Sequence, residues 1–345
     1  MGLFSRTPST VMPLAGVDTI LADLDGVVYA GPGALPHAVE SLNRARETAR
    51  IGYITNNAAR TDITVAEHLT ELGLQTTPDE IVTSPQAAVR LLRTTVADGS
   101  TILVVGGEGL VVELEKAGYV VTRSSADNPA AVVQGFAPNV DWSQLAEAAY
   151  ALALPEAEGG IPWIATNTDW TIPQARGTAP GNGTLVSAVH TAVGRLATVA
   201  GKPEKPIFDV AVDRFAAKKA LFIGDRLDTD IAGAQRAGID SVLVLTGIDR
   251  PKHVLAAPSH AHPTYILPDL RGLFEPYPVT TVKGDVVSVR GASVRVEGTD
   301  IRILAAGDQI DLLRAAAHAI WATGRQIFGF RVPEKLYEDP FLIRR

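Results

Sequence analysis

From Val17 onward, short apolar runs alternate with stretches in which apolar residues recur every three or four positions. The runs are strand-sized and the stretches between them helix-sized, so the pattern predicts βα units feeding a largely parallel sheet, an α/β fold. Strands are expected at Val17–Ala22, Ile51–Thr55, Thr101–Val105, Ala131–Gly135, Trp163–Thr166, Ala220–Gly224 and Ser241–Leu245, with a shorter one at Ala197–Ala200. Most read apolar throughout, as strands buried on both faces do. Val39, Leu42 and Ala49 are expected on one helical face and Val65, Leu69 and Leu72 on another, with Gly73, Gly118 and Gly238 as left-handed stops. Beyond Pro276 the pattern changes. Val279–Ile303 alternates Val and Ile with polar residues around Lys283-Gly284-Asp285, Arg290-Gly291-Ala292 and Glu297-Gly298-Thr299, which predicts antiparallel hairpins. A helix from about Gln309 to Ile320 follows, with Ile310, Leu313, Ala317 and Ile320 on one face, and the tail runs Phe341-Leu342-Ile343-Arg344-Arg345.

At 345 residues the chain is long enough for two or three compact units. Hydrophobic residues at 46% and charged residues at 20% fit a folded protein rather than a disordered one. A net charge of −7 offers no electrostatic footprint for nucleic acid or an anionic membrane, which leaves small molecules as the expected partners. There is no cysteine, so disulfides, thiolate metal sites and cysteine nucleophiles are excluded by inventory. Any metal is held by oxygen or imidazole. The seven histidines show no metal-ligand spacing, and His260-Ala261-His262 reads as part of a connector loop. The opening MGLFSRTPST has too short an apolar stretch for a secretory signal, and Arg6 stands where a myristoylation motif wants Ser or Thr. No apolar run approaches bilayer length, so the expected compartment is the cytoplasm.

The candidate chemistry clusters at the carboxyl ends of the apolar runs, where open α/β sheets hold their ligands. Asp23-Leu24-Asp25-Gly26 sets two carboxylates after the first strand, able to serve as nucleophile and acid/base or, alternatively, to cap the next helix. Thr55-Asn56-Asn57 ends the second strand with a hydroxyl and exposed N–H groups of the kind phosphate oxygens accept, although these are also ordinary turn residues. Gly201-Lys202-Pro203 holds a cation in a tight turn, either to neutralise a phosphoryl group or as a solvated lysine. Gly224-Asp225-Arg226-Leu227-Asp228-Thr229-Asp230 crowds carboxylates as a magnesium site does, or as a solvated acidic turn does. Four such clusters in this order are unlike chance. Gly106-Gly107-Glu108-Gly109 lacks dinucleotide-binding spacing and reads as a strand-to-helix turn.

Together these segments resemble the haloacid dehalogenase superfamily, whose four motifs are matched by Asp23-Leu24-Asp25-Gly26-Val27, Thr55, Lys202 and Gly224-Asp225 through Asp230. Thr55-Asn56-Asn57, Val105-Gly106-Gly107-Glu108-Gly109-Leu110, Ala165-Thr166-Asn167-Thr168-Asp169, Pro180-Gly181-Asn182-Gly183 and Gly201-Lys202-Pro203 resemble its class IIA cap group, over roughly residues 15 to 275. That group includes glycerol phosphate, phosphoglycolate and pyridoxal phosphate phosphatases. The resemblance implies a Rossmann-like core in two parts, 1–97 and 197–275, with an inserted α/β cap at 98–196, while the change of pattern beyond Pro276 predicts a separate small α+β domain at 276–345. The resemblance also implies magnesium-dependent hydrolysis of small phosphate esters, glycerol 3-phosphate first among them, through an aspartyl-phosphate. Asp23 would be nucleophile and metal ligand, Asp25 acid/base with its carbonyl on the metal, Asp225 the third protein ligand and Asp230 the residue orienting them. Thr55 and Lys202 would grip the phosphoryl group, with Asn56 and Asn57 beside them. Asn167, Asp169 and Trp170 fall in the cap's most polar loop, where substrate contacts are expected. Ala58 departs from the family, which often has Ser there.

A compact phosphoacceptor switch also combines Asp, Thr, Lys and magnesium, but it has neither an Asp pair straddling one residue on the first strand nor a domain inserted after the Thr. The C-terminal hairpins and helix faintly resemble half of a GCN5-related acetyltransferase, without a glycine-rich pyrophosphate loop. Residues 276–345 carry +2 against −9 for the remainder, so they are expected to be structural or regulatory rather than nucleic-acid-binding. A homo-oligomer is compatible with the sequence.

Overall fold

In a computed structural model of the protein, residues 11–174 and 176–339 are described, apart from the side chain of Pro173. The N-terminal decapeptide and the Phe341–Arg345 tail, on which the targeting and terminal expectations bear, lie outside the described residues. Contacts divide the chain into two units, one of Ile51–Lys218 and one of the described residues before and after it.

In the discontinuous unit, the strands Thr19–Ala22, Ala220–Gly224, Asp240–Val244 and Tyr265–Leu267 pair in parallel in that spatial order. Their Ile, Leu, Val and Phe side chains are nearly all fully buried, which is why the first three carry the apolar runs seen in the sequence. The first helix is Ala38–Ala45, and it buries Ala38, Ser41, Leu42 and Ala45. The expected face of Val39, Leu42 and Ala49 is corrected accordingly: the helix starts late and ends at Ala45, so Val39 turns partly outward and Ala49 lies beyond it.

The C-terminal part opens with a four-stranded antiparallel meander, Thr280–Lys283, Val286–Val289, Ala292–Glu297 and Asp300–Ala305, turned at the expected glycines. The helix Gln309–Trp321 follows, capped by Asp308, whose carboxylate accepts from the Ile310 N–H at 3.0 Å. One apolar face was expected, yet Ile310–Ala317 is buried at every position. The reason is a core shared on two sides. Val287, Val289 and Val294 of the meander and Leu227, Leu245 and Ile266 of the parallel-sheet part belong to one cluster with Leu312, Leu313 and Ile320. Polar contacts fasten the same helix: the Trp321 indole donates to the Val254 carbonyl at 3.1 Å, and Arg314 donates to the Ile266 carbonyl through Nε (3.1 Å) and Nη2 (2.7 Å). Ile266 sits on the sheet's last strand, and its N–H is taken up by the Tyr277 hydroxyl at 3.1 Å, so this edge is covered rather than left open to pairing.

In the continuous unit, Arg50–Thr55 pairs in parallel with Ile81–Thr83, a strand too short to show a pattern in sequence. Thr61 caps the helix Asp62–Glu71, whose Val65 and Leu69 are buried while Leu72 is its C-cap, and Thr83 with Gln86 boxes the start of Ser84–Leu92. A second parallel sheet takes the order Val120–Thr122, Thr101–Val105, Ala131–Gln134, Trp163–Ala165, Thr198–Val199. Leu103, Val132 and Trp163 of that sheet pack with Ala148, Leu152, Val186 and Val189 of its helices. A hairpin of Thr171–Gln174 and Gly177–Pro180 leads into the helix Asn182–Val193. No helix among the described residues is long and apolar enough to cross a membrane.

Candidate active site

The first strand keeps register with its neighbour one residue past its end, because the Asp23 N–H donates to the Ile223 carbonyl at 2.8 Å. Asp23 is thereby held at the sheet's carboxyl edge while the chain turns back, the Leu24 carbonyl accepting from the N–H groups of Val27, Val28 and Tyr29. Gly26 makes the turn at φ +79°, and a side chain there would collide with the Asp225 carboxylate, its Cβ standing 2.5 Å from Cγ. The parallel strand Ala220–Gly224 delivers Asp225 to the same edge. Asp225 is gripped by the segment after Asp240–Val244: the Ile248 N–H donates to Oδ2 at 2.6 Å, and the Asp249 N–H donates to the Asp225 carbonyl at 3.1 Å. Asp230, one helical turn on, accepts from the N–H groups of Asp225 and Arg226 at 3.1 Å each.

The result is a buried cluster in which Asp23, Asp225 and Asp230 each place an oxygen within 4.8 Å of the others. Their exposures of 8%, 1% and 0% leave little room for water to offset three like charges. An all-oxygen donor set of this charge suits a hard divalent cation such as magnesium. The resemblance implies Asp23, the Asp25 backbone carbonyl and Asp225 as ligands, with Asp230 orienting them. Here the Asp230 carboxylate stands within the cluster, while the Asp25 side chain is exposed. Asp228, from the same acidic run, lies outside the cluster and pairs bidentately with Arg226 at 3.0 and 2.7 Å. Partial desolvation pushes the Asp228 carboxyl up, but the Arg226 fork and the backbone N–H groups of Asp228 and Thr229 together hold it below the usual range. Burial raises the carboxyl of Asp249.

In the continuous unit, Thr55 is buried at the end of its strand and its hydroxyl accepts from the Asn57 N–H at 3.1 Å. The Asn57 side chain is occupied within the turn, accepting from the N–H groups of Ala59 (2.8 Å) and Arg60 (3.3 Å). Ala58 is 2% exposed and packed rather than presented. Asn56, Asn167, Asp169 and Lys202 come together: the Asn56 amide donates to the Asp169 carboxylate at 3.1 and 3.2 Å, and Asn167 donates to the Asn56 carbonyl at 2.8 Å. Trp170 is 65% exposed and takes no part in this network.

Two contributors have no role assigned from the sequence. Asn182 donates to the Asn167 carbonyl at 2.7 Å and fixes the polar loop, and the Thr246–Asp249 segment cradles Asp225, with the Thr246 hydroxyl donating to the Gly26 carbonyl at 2.6 Å. Thr246-Gly247 follows an apolar run, so the carboxyl-edge rule that found the other four clusters points to it as well.

A parallel α/β core with buried acidic groups converging at its carboxyl edge fits a metal-assisted hydrolase. Residues 20–120 match the family described as haloacid dehalogenase-like hydrolase and residues 199–273 a second family of that type, while residues 285–332 match a GCN5-related N-acetyltransferase-like domain. The chain belongs to the haloacid dehalogenase-like hydrolases. It is 41% identical over 314 residues to the D-glycerol 3-phosphate phosphatase of Mycobacterium tuberculosis, covering 88% of this chain and 86% of that one. The glycerol-3-phosphate phosphatase of Gallus gallus is 35% identical over 292 residues, covering 78% and 91%. Among solved structures, the glycerol phosphate phosphatase of M. tuberculosis in complex with magnesium superposes with a TM-score of 0.83 at 38% identity, covering 92% of this chain and 94% of that one.

Proposed function

We propose that this chain is a magnesium-dependent phosphatase of small phosphate monoesters whose substrate is glycerol 3-phosphate. The observation that carries the chemistry is the buried convergence of Asp23, Asp225 and Asp230 on oxygens within 4.8 Å. The substrate is supported by the names of the relatives that span most of the chain. Asp23, Asp225 and Asp230, with the Asp25 carbonyl, would hold magnesium, which when bound neutralises charge on the phosphoryl oxygens. In the reaction an Asp23 carboxylate oxygen bonds to phosphorus as the ester P–O bond breaks, and Asp25 gives its proton to the departing alkoxide. Asp25 then takes a proton from the water that releases phosphate and restores the Asp23 carboxylate. Thr55 and Lys202 stabilise the phosphoryl oxygens, whose charge an in-line displacement must keep balanced. Residues 98–196 act as the cap that excludes bulk water, and Asn167 and Asp169 are its candidates for substrate contact. Residues 276–345 are structural in this reading, and the enzyme works in the cytoplasm without nucleic acid, alone or as a homo-oligomer.

The test is phosphate release from glycerol 3-phosphate, phosphoglycolate and pyridoxal phosphate, each with magnesium and with chelator. Glycerol 3-phosphate should show the highest kcat/KM, chelator should stop turnover, and Asp23→Asn should abolish it without altering the fold. Turnover that survives either chelator or Asp23→Asn refutes the mechanism, and a higher kcat/KM for another ester refutes the substrate.

A further inference from the structure

Asn56 follows the threonine expected to hold phosphate, and its side chain is committed elsewhere. The amide grips the peptide groups of Lys202 from both sides: Oδ1 accepts from the Lys202 N–H at 2.8 Å and Nδ2 donates to the Lys202 carbonyl at 3.0 Å. The second Nδ2 proton goes to the Asp169 carboxylate. One acceptor and two donors in one plane is the inventory of an Asn side chain, and Asp or Ser cannot reproduce it. The main chain of Asn56 is fixed as well, its carbonyl accepting from the Ser84 hydroxyl and from Asn167 Nδ2 at 2.8 Å each. Gly201 makes room for the grip, since a Cβ there would lie 2.5 Å from Asn56 Oδ1 and 2.5 Å from the Thr166 carbonyl. Asn56 and Lys202 are 9% and 3% exposed, so water is a poor substitute for these bonds.

We propose that Asn56 is a positioning residue that sets the backbone of Lys202 and thereby aims its ammonium group, rather than a residue whose side chain binds phosphate. The clamp acts on the root of a long, flexible side chain. A displacement there is carried to Nζ, where an error of about 1 Å in a catalytic group costs on the order of 100-fold in rate. This inference rests on the reading above that Lys202 stabilises the transferring phosphoryl group.

A double-mutant cycle on the full chain tests it, with Asn56→Ala, Lys202→Ala and the pair assayed for kcat and KM on the best substrate. Asn56→Ala should lower kcat by tens of fold with KM changed by less than about threefold. If Asn56 works only through Lys202, the pair should be no slower than Lys202→Ala by more than about twofold. Losses that multiply, or a rise in KM with kcat intact, overturn the proposal, because Asn56 then acts on substrate or structure by its own route. A Lys202→Ala enzyme of full activity overturns the role of the lysine itself and this proposal with it, an outcome distinct from multiplied losses. Should Asn56→Ala fail to fold, as judged by circular dichroism, isosteric Asn56→Asp replaces it in the same cycle. It keeps the acceptor for the Lys202 N–H, loses both donors, and should show the same non-additivity.

Discussion

Replacing Gly26 by alanine separates the demands of backbone and site. Gly26 has φ +79°, where an alanine costs about 1–2 kcal/mol in strain. Its new Cβ would also stand 2.5 Å from Asp225 Cγ and 2.9 Å from Gly247 Cα. Opening the first contact to about 3.5 Å requires a shift of roughly 1 Å. Asp225 has little freedom to give, because its Oδ2 is held by the Ile248 N–H at 2.6 Å and its carbonyl by the Asp249 N–H. The carboxylate is therefore expected to leave the cluster it forms with Asp23 and Asp230, with a loss in kcat on the order of 100-fold and a raised magnesium requirement. Gly31 supplies the control, since it has φ +61° and a Cβ added there would meet nothing within 4 Å. Gly31→Ala should share the strain and lose about 1 kcal/mol of stability, yet titrate with magnesium like the parent. Magnesium binding followed by calorimetry and initial rates against magnesium would both read the difference. Equal magnesium affinity in Gly26→Ala and Gly31→Ala would refute the reasoning that Asp225 must lie where it does to hold the metal.

Three further outcomes are expected. Asp25→Asn should slow alkyl phosphates far more than nitrophenyl phosphate, because a phenolate departs without a proton and an alkoxide does not; equal losses would remove Asp25 from the acid/base role. Arg314→Ala should cost about 3–5 kcal/mol in denaturant unfolding, because it removes the 2.8 Å partner of the buried Asp311 carboxylate and the donor to the buried Ile266 carbonyl. Arg290→Ala, at a longer and more exposed contact with Asp311, should cost less than about 1 kcal/mol, and similar costs for the two would contradict this ranking. His262, stacked on Trp321 at 4.0 Å, has its pKa lowered by burial and by His260, against the pull of its bond to the Ala257 carbonyl. The unfolded chain therefore takes up the proton first as pH falls below about 6.5, so the His262 contribution to stability is full above that pH and is lost in acid. His262→Phe should flatten the stability profile between about pH 5 and 7, and an unchanged slope would place the titration elsewhere.

The local pattern of the chain carried the parallel sheets, the C-terminal meander and the residues at the strand ends. A strand buried on both faces has to be apolar throughout, and an antiparallel strand with one wet face has to alternate, so Thr101–Val105 and Val286–Val289 announce themselves. Short strands were legible only in part: Trp163–Ala165 was expected, whereas Ile81–Thr83 and Tyr265–Leu267 were not. The polar clusters were legible for a similar reason: within each parallel sheet every strand's carboxyl end lies on one edge, so position in the βα repeat implies which residues stand at such an edge.

What only the tertiary structure decided is which members of those clusters turn inward. By residue type alone Asp225, Asp228 and Asp230 are equivalent, and only the family resemblance singled out Asp225 and Asp230; in the fold these two converge with Asp23 while Asp228 pairs with Arg226. The choice depends on a helical turn after the strand and on the Ile248 N–H, which comes from a different strand end. Likewise Asn56 reads as one more phosphate donor until the fold brings Lys202, 146 residues away, against both edges of its amide. Periodicity follows from the local geometry of helix and strand and is written into neighbouring residues. Hydrogen-bond partnership between strand ends depends on distances that only the packed chain sets.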